Sequence, residues 1–136
     1  MSAVLLDTCA ALWLMNREPF AASALSAIRS AQASAGVHVS PISAWEIGML
    51  IAKSRLSLDR DPEDWFDTLT SLKGVHLTEL SPTILIASTR LPGNAPRDPA
   101  DRIIAATARH YNCPVVTRDG ELLPYARAGH LRAIRC

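Results

Sequence analysis

The chain has 136 residues, 49% of them apolar, and a formal net charge of +1. That size suits one domain over residues 1–136 with a continuous core. No stretch reaches the roughly 20 apolar residues that cross a bilayer, and the apolar N-terminus has no basic leader and is interrupted by Asp7, so neither a membrane span nor a cleaved signal is expected. Cys9, Cys113 and Cys136 are widely spaced and form no Cys-x-x-Cys pair, which argues against a zinc knuckle or a disulfide framework and suits a reducing cytoplasm.

In chain order, Ala3 to Leu6 is a short apolar run that predicts a buried strand, with Asp7 and Thr8 at the junction to a helix over Thr8–Asn16. Apolar residues at helical spacing predict a second helix over Phe20–Ala35, stopped by Gly36, and Val37 to Ser40 a second strand. Ser40-Pro41 reads as cap plus first-turn proline of a helix to about Ser54, and Pro62 opens another to about Lys73. Val75–Leu80 alternates as a strand, and Ser81-Pro82 starts a helix ending near Leu91. Pro92 to Arg97 is a loop, and Asp98-Pro99 opens a helix to Tyr111. A strand over Pro114–Thr117, a helix over Asp119–Ala128 and a strand over Leu131–Ile134 complete the pattern. Strands and helices alternate, so the expected architecture is α/β: a central, mostly parallel sheet with helices on both faces.

The acids fall at telling positions. Ligands of open α/β sheets bind outside the carboxyl ends of the strands, and both Asp7 and Asp119 follow a strand directly or after one residue. Capping a helix is the plain reading of each; holding a cation is the sharper one, because a buried carboxylate needs compensation. Glu46 sits in the apolar helical turn Ala44-Trp45-Glu46-Ile47, which points it inward rather than to a solvent stripe. Asp98 suits the cap of its helix, with Asp101 completing a capping box and free to serve a metal as well. From Arg97 onward seven arginines face four acids, so a phosphate-binding rim beside an acidic centre competes with ordinary solvated helix faces. Arg102 and Arg118 adjoin presumed ligands and are the candidates for phosphate contact. Trp13 and Trp45 read as core or interface residues rather than base-stacking platforms.

Taken together, Val4-Leu5-Leu6-Asp7-Thr8, Ser40 to Ile47, Arg97 to Ala108 and Val116-Thr117-Arg118-Asp119 resemble a PIN domain, and within that family a VapC-type toxin. The resemblance covers nearly the whole chain. It implies a three-layer α/β/α sandwich and an RNA-cutting site that uses Mg²⁺ or Mn²⁺. By motif, Asp7, Glu46, Asp101 and Asp119 match the family's acidic quartet. Thr8 and Thr117 match small hydroxyl positions beside the first and last acids, and Asp98 matches a frequent extra acid. The implied reaction is attack of a metal-activated water on an RNA phosphodiester, leaving a 5′-phosphate and a 3′-hydroxyl. The implied partners are an RNA substrate, a VapB-type antitoxin whose helix lies in an apolar groove, and a second copy of the chain in a homodimer. The helices over Thr8–Asn16 and Ser43–Ser54 are apolar around more than one face, as such contacts require.

Three rivals share parts of the pattern. A haloacid-dehalogenase-type phosphatase wants a second Asp two residues after the first, where Cys9 stands; a receiver domain wants an acidic pair and a late strand-end Lys, and both are missing. A module whose acids hold a structural ion or an arginine-rich partner, and a PIN nuclease of RNA processing rather than a toxin, remain as alternatives.

Overall fold

The computed structural model describes residues 3–136; Met1 and Ser2, which open the expected domain, lie outside the described residues. The elements run β1 (Val4–Leu6), α1 (Thr8–Met15), α2 (Ala22–Gln32), β2 (Val37–Val39), α3 (Pro41–Ala52), α4 (Pro62–Ser71), β3 (Val75–Leu77), α5 (Pro82–Thr89), α6 (Pro99–Tyr111), β4 (Val115–Thr117), α7 (Leu122–Arg127) and β5 (Ala133–Arg135). Four helices begin with the same local chemistry. Ser40, Asp61, Ser81 and Asp98 cap α3, α4, α5 and α6 by accepting a first-turn N–H, and a proline follows each in the first turn.

The sheet is wholly parallel in the order β3-β2-β1-β4-β5. The chain lays down β1, β2 and β3 in one direction, then returns to place β4 on the other side of β1. β1 and β4 therefore flank the point where the winding reverses, the place where such sheets open a crevice at their carboxyl ends.

Period-two alternation divides the core. Val4, Leu6, Val37, Val39 and Val116 pack on one face with residues of α1 to α4, including Ile28, Ile47, Trp65 and Leu69. Leu5 and Val115 pack on the other with Ile104, Ala105 and Ala108 of α6 and Leu122 and Tyr125 of α7. Strands buried on both faces read as continuous apolar runs, which is why β1 and β4 show no polar alternation. Among the described residues no helix is long and apolar enough to cross a membrane.

Several boundaries differ from the sequence expectation, and the causes are local. α2 starts at Ala22 and stops at Gln32, short of Gly36, because residues 33–35 form a turn before β2. β3 is confined to Val75–Leu77, although the Thr78 N–H still reaches the Val39 carbonyl at 2.8 Å. β5 lies at Ala133–Arg135 rather than Leu131–Ile134. α7 begins at Leu122 and not at Asp119, since the Asp119 carboxylate accepts the N–H groups of Glu121 and Leu122 and makes a turn ahead of the helix. Trp65 is core, at 2% exposure, while Trp45 is 53% exposed, so of its two expected places, core or interface, the core is excluded. On α3 the inward positions belong to Ser43 and Ile47, four residues apart, which leaves Trp45 pointing off that face.

Candidate metal centre

Asp7 follows β1 immediately, and its backbone N–H continues the ladder to the Val116 carbonyl. Its side chain caps α1, with Oδ1 accepting the Ala10 N–H at 2.7 Å. The second oxygen, Oδ2, accepts the Thr117 hydroxyl at 2.5 Å, and Thr117 Oγ1 in turn accepts the Asp119 N–H at 3.0 Å. Thr117 is fully buried and Asp7 nearly so. The last residue of β4 thus ties together the two acids that follow β1 and β4. Burial still pushes the Asp7 carboxyl above its ordinary range, opposed by the Thr117 and Ala10 bonds, raised further by Asp119 and relieved by Arg118.

A second hydroxyl relay serves Glu46. Thr8 donates to Glu46 Oε1, so its remaining contact, at 2.9 Å with the buried Ser43 hydroxyl, has Ser43 as donor. Ser43 and Glu46 lie three apart on one face of α3, and Thr8 reaches them from the first turn of α1. Sequence reasoning missed Ser43; its three-residue spacing from Glu46 was the available signal. Desolvation raises the Glu46 carboxyl, Thr8 opposes this, and Asp98, Asp7 and Asp119 add to it.

Asp98 caps α6 by accepting the Asp101 N–H at 3.0 Å; the reciprocal bond of a capping box is not formed among the described residues. The Asp101 side chain is left for the cluster. Desolvation raises its carboxyl to about 8, followed by repulsion from Asp119, Asp98, Glu46 and Asp7 in that order. Cys9 reports the same convergence from a neighbouring position: its thiol is pushed up to about 11 by desolvation and by Asp7, Glu46, Asp101 and Asp119. The strand ends after β1 and β4, the second turn of α3 and the first turn of α6 therefore bring all four sequence-predicted acids, with Asp98 beside them, into one electrostatic cluster.

The two arginines differ. Arg102 donates from Nε to the Ser88 carbonyl at 2.8 Å and from Nη1 to the Pro96 carbonyl at 3.0 Å, so it braces the loop before α6 instead of standing open to phosphate. Arg118 is exposed next to Asp119, 3.7 Å above the Trp13 ring, and makes a long bond from Nη2 to the Pro19 carbonyl at 3.4 Å.

The donor chemistry fits a hard divalent cation: carboxylate oxygens, desolvated and mutually repelling, with two hydroxyl relays fixing their orientation. Among the described residues no three His, Cys, Asp or Glu side chains stand close enough together to hold a metal ion as placed, so the carboxylates would have to draw in around one.

Comparison with known proteins agrees with this architecture. Ribonuclease VapC22 of Mycobacterium tuberculosis (strain ATCC 25618 / H37Rv) is 31% identical over 122 residues, covering 90% of this chain and 91% of the relative. A chain of VapBC2 from Rickettsia felis, solved bound to a DNA fragment from its promoter, superposes with TM-score 0.67 at 17% identity over 98% of both chains. A chain of a toxin–antitoxin complex from Klebsiella pneumoniae superposes with TM-score 0.62 at 18% identity, covering 96% of this chain and 95% of that one. The sequence profile of the PIN domain matches residues 4–128. With that match spanning β1 to α7 and every acid of the cluster, the chain belongs to the PIN domain family.

Proposed function

We propose that this protein is a Mg²⁺- or Mn²⁺-dependent endoribonuclease, one nuclease domain acting in the cytoplasm as the toxin of a toxin–antitoxin pair. The observation that carries the reading is the gathering of Asp7, Glu46, Asp101 and Asp119 at the reversal point of a parallel sheet, where burial raises the carboxyls of Asp7, Glu46 and Asp101 and the charge of Asp119 raises each of them further. The relative named as a ribonuclease and the fold shared with chains of toxin–antitoxin complexes support the same reading.

On this reading the four carboxylates hold the ion. When bound, the ion supplies an activated water and neutralises charge on the scissile phosphate. The Thr117 hydroxyl keeps Asp7 Oδ2 in place, and Ser43 and Thr8 keep Glu46 Oε1 in place, so neither acid must reorganise on binding. Burial and the neighbouring acids push the Asp101 carboxyl up to about 8 in the metal-free protein, and it would serve the cation in its deprotonated form. Arg118, steadied on Trp13, is the phosphate contact we assign; Arg102 holds the loop. The free thiols of Cys9, Cys113 and Cys136 fit a reducing compartment. The partners are an RNA substrate, a VapB-type antitoxin and a second copy of the chain. Apolar surface left on α1 and α3, with Trp45 exposed beside Glu46, is available to them.

The test is RNA cleavage by purified protein with Mg²⁺ or Mn²⁺ and with EDTA, for the wild type and for Asp7→Asn, Glu46→Gln, Asp101→Asn and Asp119→Asn. Each substitution is expected to cut activity by about tenfold or more, the scale of losing a group that stabilises transition-state charge. EDTA is expected to abolish it, and the products to carry 5′-phosphates. Cleavage that persists in EDTA would refute the metal mechanism. Expression alone should arrest growth, relieved by co-expression of the small adjacent antitoxin; light scattering of the free protein should give a dimer. Cleavage without toxicity would leave a nuclease of RNA processing.

A further inference from the structure

We propose that the cavity beside the carboxylate cluster is a nucleobase subsite that reads a base next to the scissile phosphate and favours guanine. This rests on the ribonuclease reading and extends it to sequence preference. The cavity, of about 450 Å³, is lined by Asn94, Ala95, Pro96 and Arg97 on one side and by Gly120, Glu121 and Pro124 on the other. It is contiguous with the metal centre through the chain itself, since Arg97 precedes Asp98 and Gly120 follows Asp119. Its volume suits one flat, drug-sized group rather than a folded partner element.

The two walls are braced, so the cavity is preformed. The Arg97 N–H donates to Glu121 Oε1 at 3.3 Å across it. The Pro96 carbonyl is held by Arg102, and the buried Tyr125 hydroxyl donates to the Pro92 carbonyl at 2.6 Å. Asp119 binds the Glu121 N–H, which couples the orientation of the recognition carboxylate to a presumed metal ligand.

The chemistry selects the ligand. Exposed Pro124 offers a flat apolar face to a base plane, of the kind single-stranded RNA recognition uses, while buried Pro96 backs the opposite wall. Glu121 Oε2 engages no partner among the described residues. A carboxylate accepts hydrogen bonds and donates none. Guanine presents two adjacent donors on its Watson–Crick edge, N1–H and N2–H, whereas adenine and cytosine present one amino group each. Uracil sets a single N–H between two carbonyl oxygens that a carboxylate repels. Arg97, whose guanidinium has no partner among the described residues, stands beside the same opening for the adjoining phosphate.

Two measurements decide the proposal. Cleavage of a randomised single-stranded RNA pool with Mn²⁺, followed by sequencing of the ends, is expected to show guanine enriched about tenfold at one fixed position beside the cut, the scale of a good bidentate base contact. Glu121→Gln should erase that enrichment, since the amide replaces an acceptor with a donor, and Glu121→Asp should retain part of it. Gly120→Leu should also erase it by filling the cavity: a Cβ at Gly120 meets nothing within 4 Å, so the backbone need not shift. Fluorescence anisotropy of short labelled RNAs in EDTA reads the subsite without catalysis, and guanine-containing strands should bind the wild type about tenfold more tightly than their adenine counterparts. If the wild type cuts no RNA but still shows this binding preference, the ribonuclease reading fails and the subsite stands. If it cuts without positional preference, or if Glu121→Gln leaves the preference intact, the subsite proposal is overturned while the nuclease stands.

Discussion

Thr117 joins the strand framework to the acids. It ends β4, is fully buried, donates to Asp7 Oδ2 and accepts from the Asp119 N–H. Thr117→Val keeps the shape and β propensity but removes both bonds, leaving a buried carboxylate oxygen and an N–H without their partner. The expected loss is about 1–3 kcal/mol of stability. RNA cleavage should fall with it, because Asp7 loses the group that orients it. Thr117→Ser, which keeps the hydroxyl, should recover most of both. Equal denaturant midpoints and equal cleavage rates for the valine variant and the wild type would contradict this assignment. Thr8 and Ser43 act on Glu46 through the same chemistry, which explains why small hydroxyl residues surround acids whose charge a methyl group could not steady.

At the scale of elements, the segment from Pro92 to Asp98 decides where α6 presents Asp101. It contains no regular structure, yet it is fastened to α6 by Arg102 and to α7 by Tyr125 and Glu121. Gly93 is the tightest point. Its backbone has φ +68°, and a Cβ there would stand 2.3 Å from the His130 imidazole, whose ring stacks on Tyr125 at 4.8 Å. Gly93→Ala should therefore destabilise the protein by about 1–3 kcal/mol and loosen the loop. Gly48 offers the internal control. It lies within α3, where an added Cβ meets nothing within 4 Å. Gly48→Ala should stabilise by about 0.5–1 kcal/mol through helix propensity alone. Thermal midpoints moving in opposite directions would bear out both assignments. A Gly93→Ala midpoint at or above the wild type would show that the loop yields freely.

For the molecule as a whole, a cluster that repels itself makes the metal-free protein sensitive to pH. Asp101 ionises near 3.8 when unfolded and at about 8 in the folded, metal-free state. Between those values the folded state holds a proton that the unfolded state has lost. Stability must then fall as pH rises through that window, and the raised pKa values of Asp7 and Glu46 act in the same direction. Melting in EDTA across this range should show a declining midpoint, and Asp101→Asn should flatten much of the decline. Saturating Mg²⁺ should raise the midpoint, most at the alkaline end, because the ion binds the deprotonated ligands and only the folded state assembles them. A flat profile in EDTA, or no response to Mg²⁺, would separate the carboxylates from the role assigned to them. Asp101→Asn is then expected to be more stable than the metal-free wild type above neutral pH while cutting RNA poorly, the trade expected where a site is built for function.

The order and type of nearly every element were legible in the sequence, because caps, first-turn prolines and apolar periodicity are local signals. Ser40-Pro41, Ser81-Pro82 and Asp98-Pro99 each start a helix where local chemistry demands one. Asp7 and Asp119 were legible as candidates because strand ends of parallel sheets are where ligands go. What local signals cannot carry is pairing across distance. The strand order that puts β4 against β1, and so joins Asp7 to Thr117 across 110 residues, follows from crossover geometry and burial on both faces. The Ser43 relay, the burial of Trp65 and exposure of Trp45, and the capture of Arg102 by two backbone carbonyls are likewise decided by which helix faces meet. A residue's type and its neighbours in sequence determine what it is able to bind. Only the packed chain determines which partner takes up that capacity, because an unmet polar group in the interior costs more free energy than the local pattern can supply.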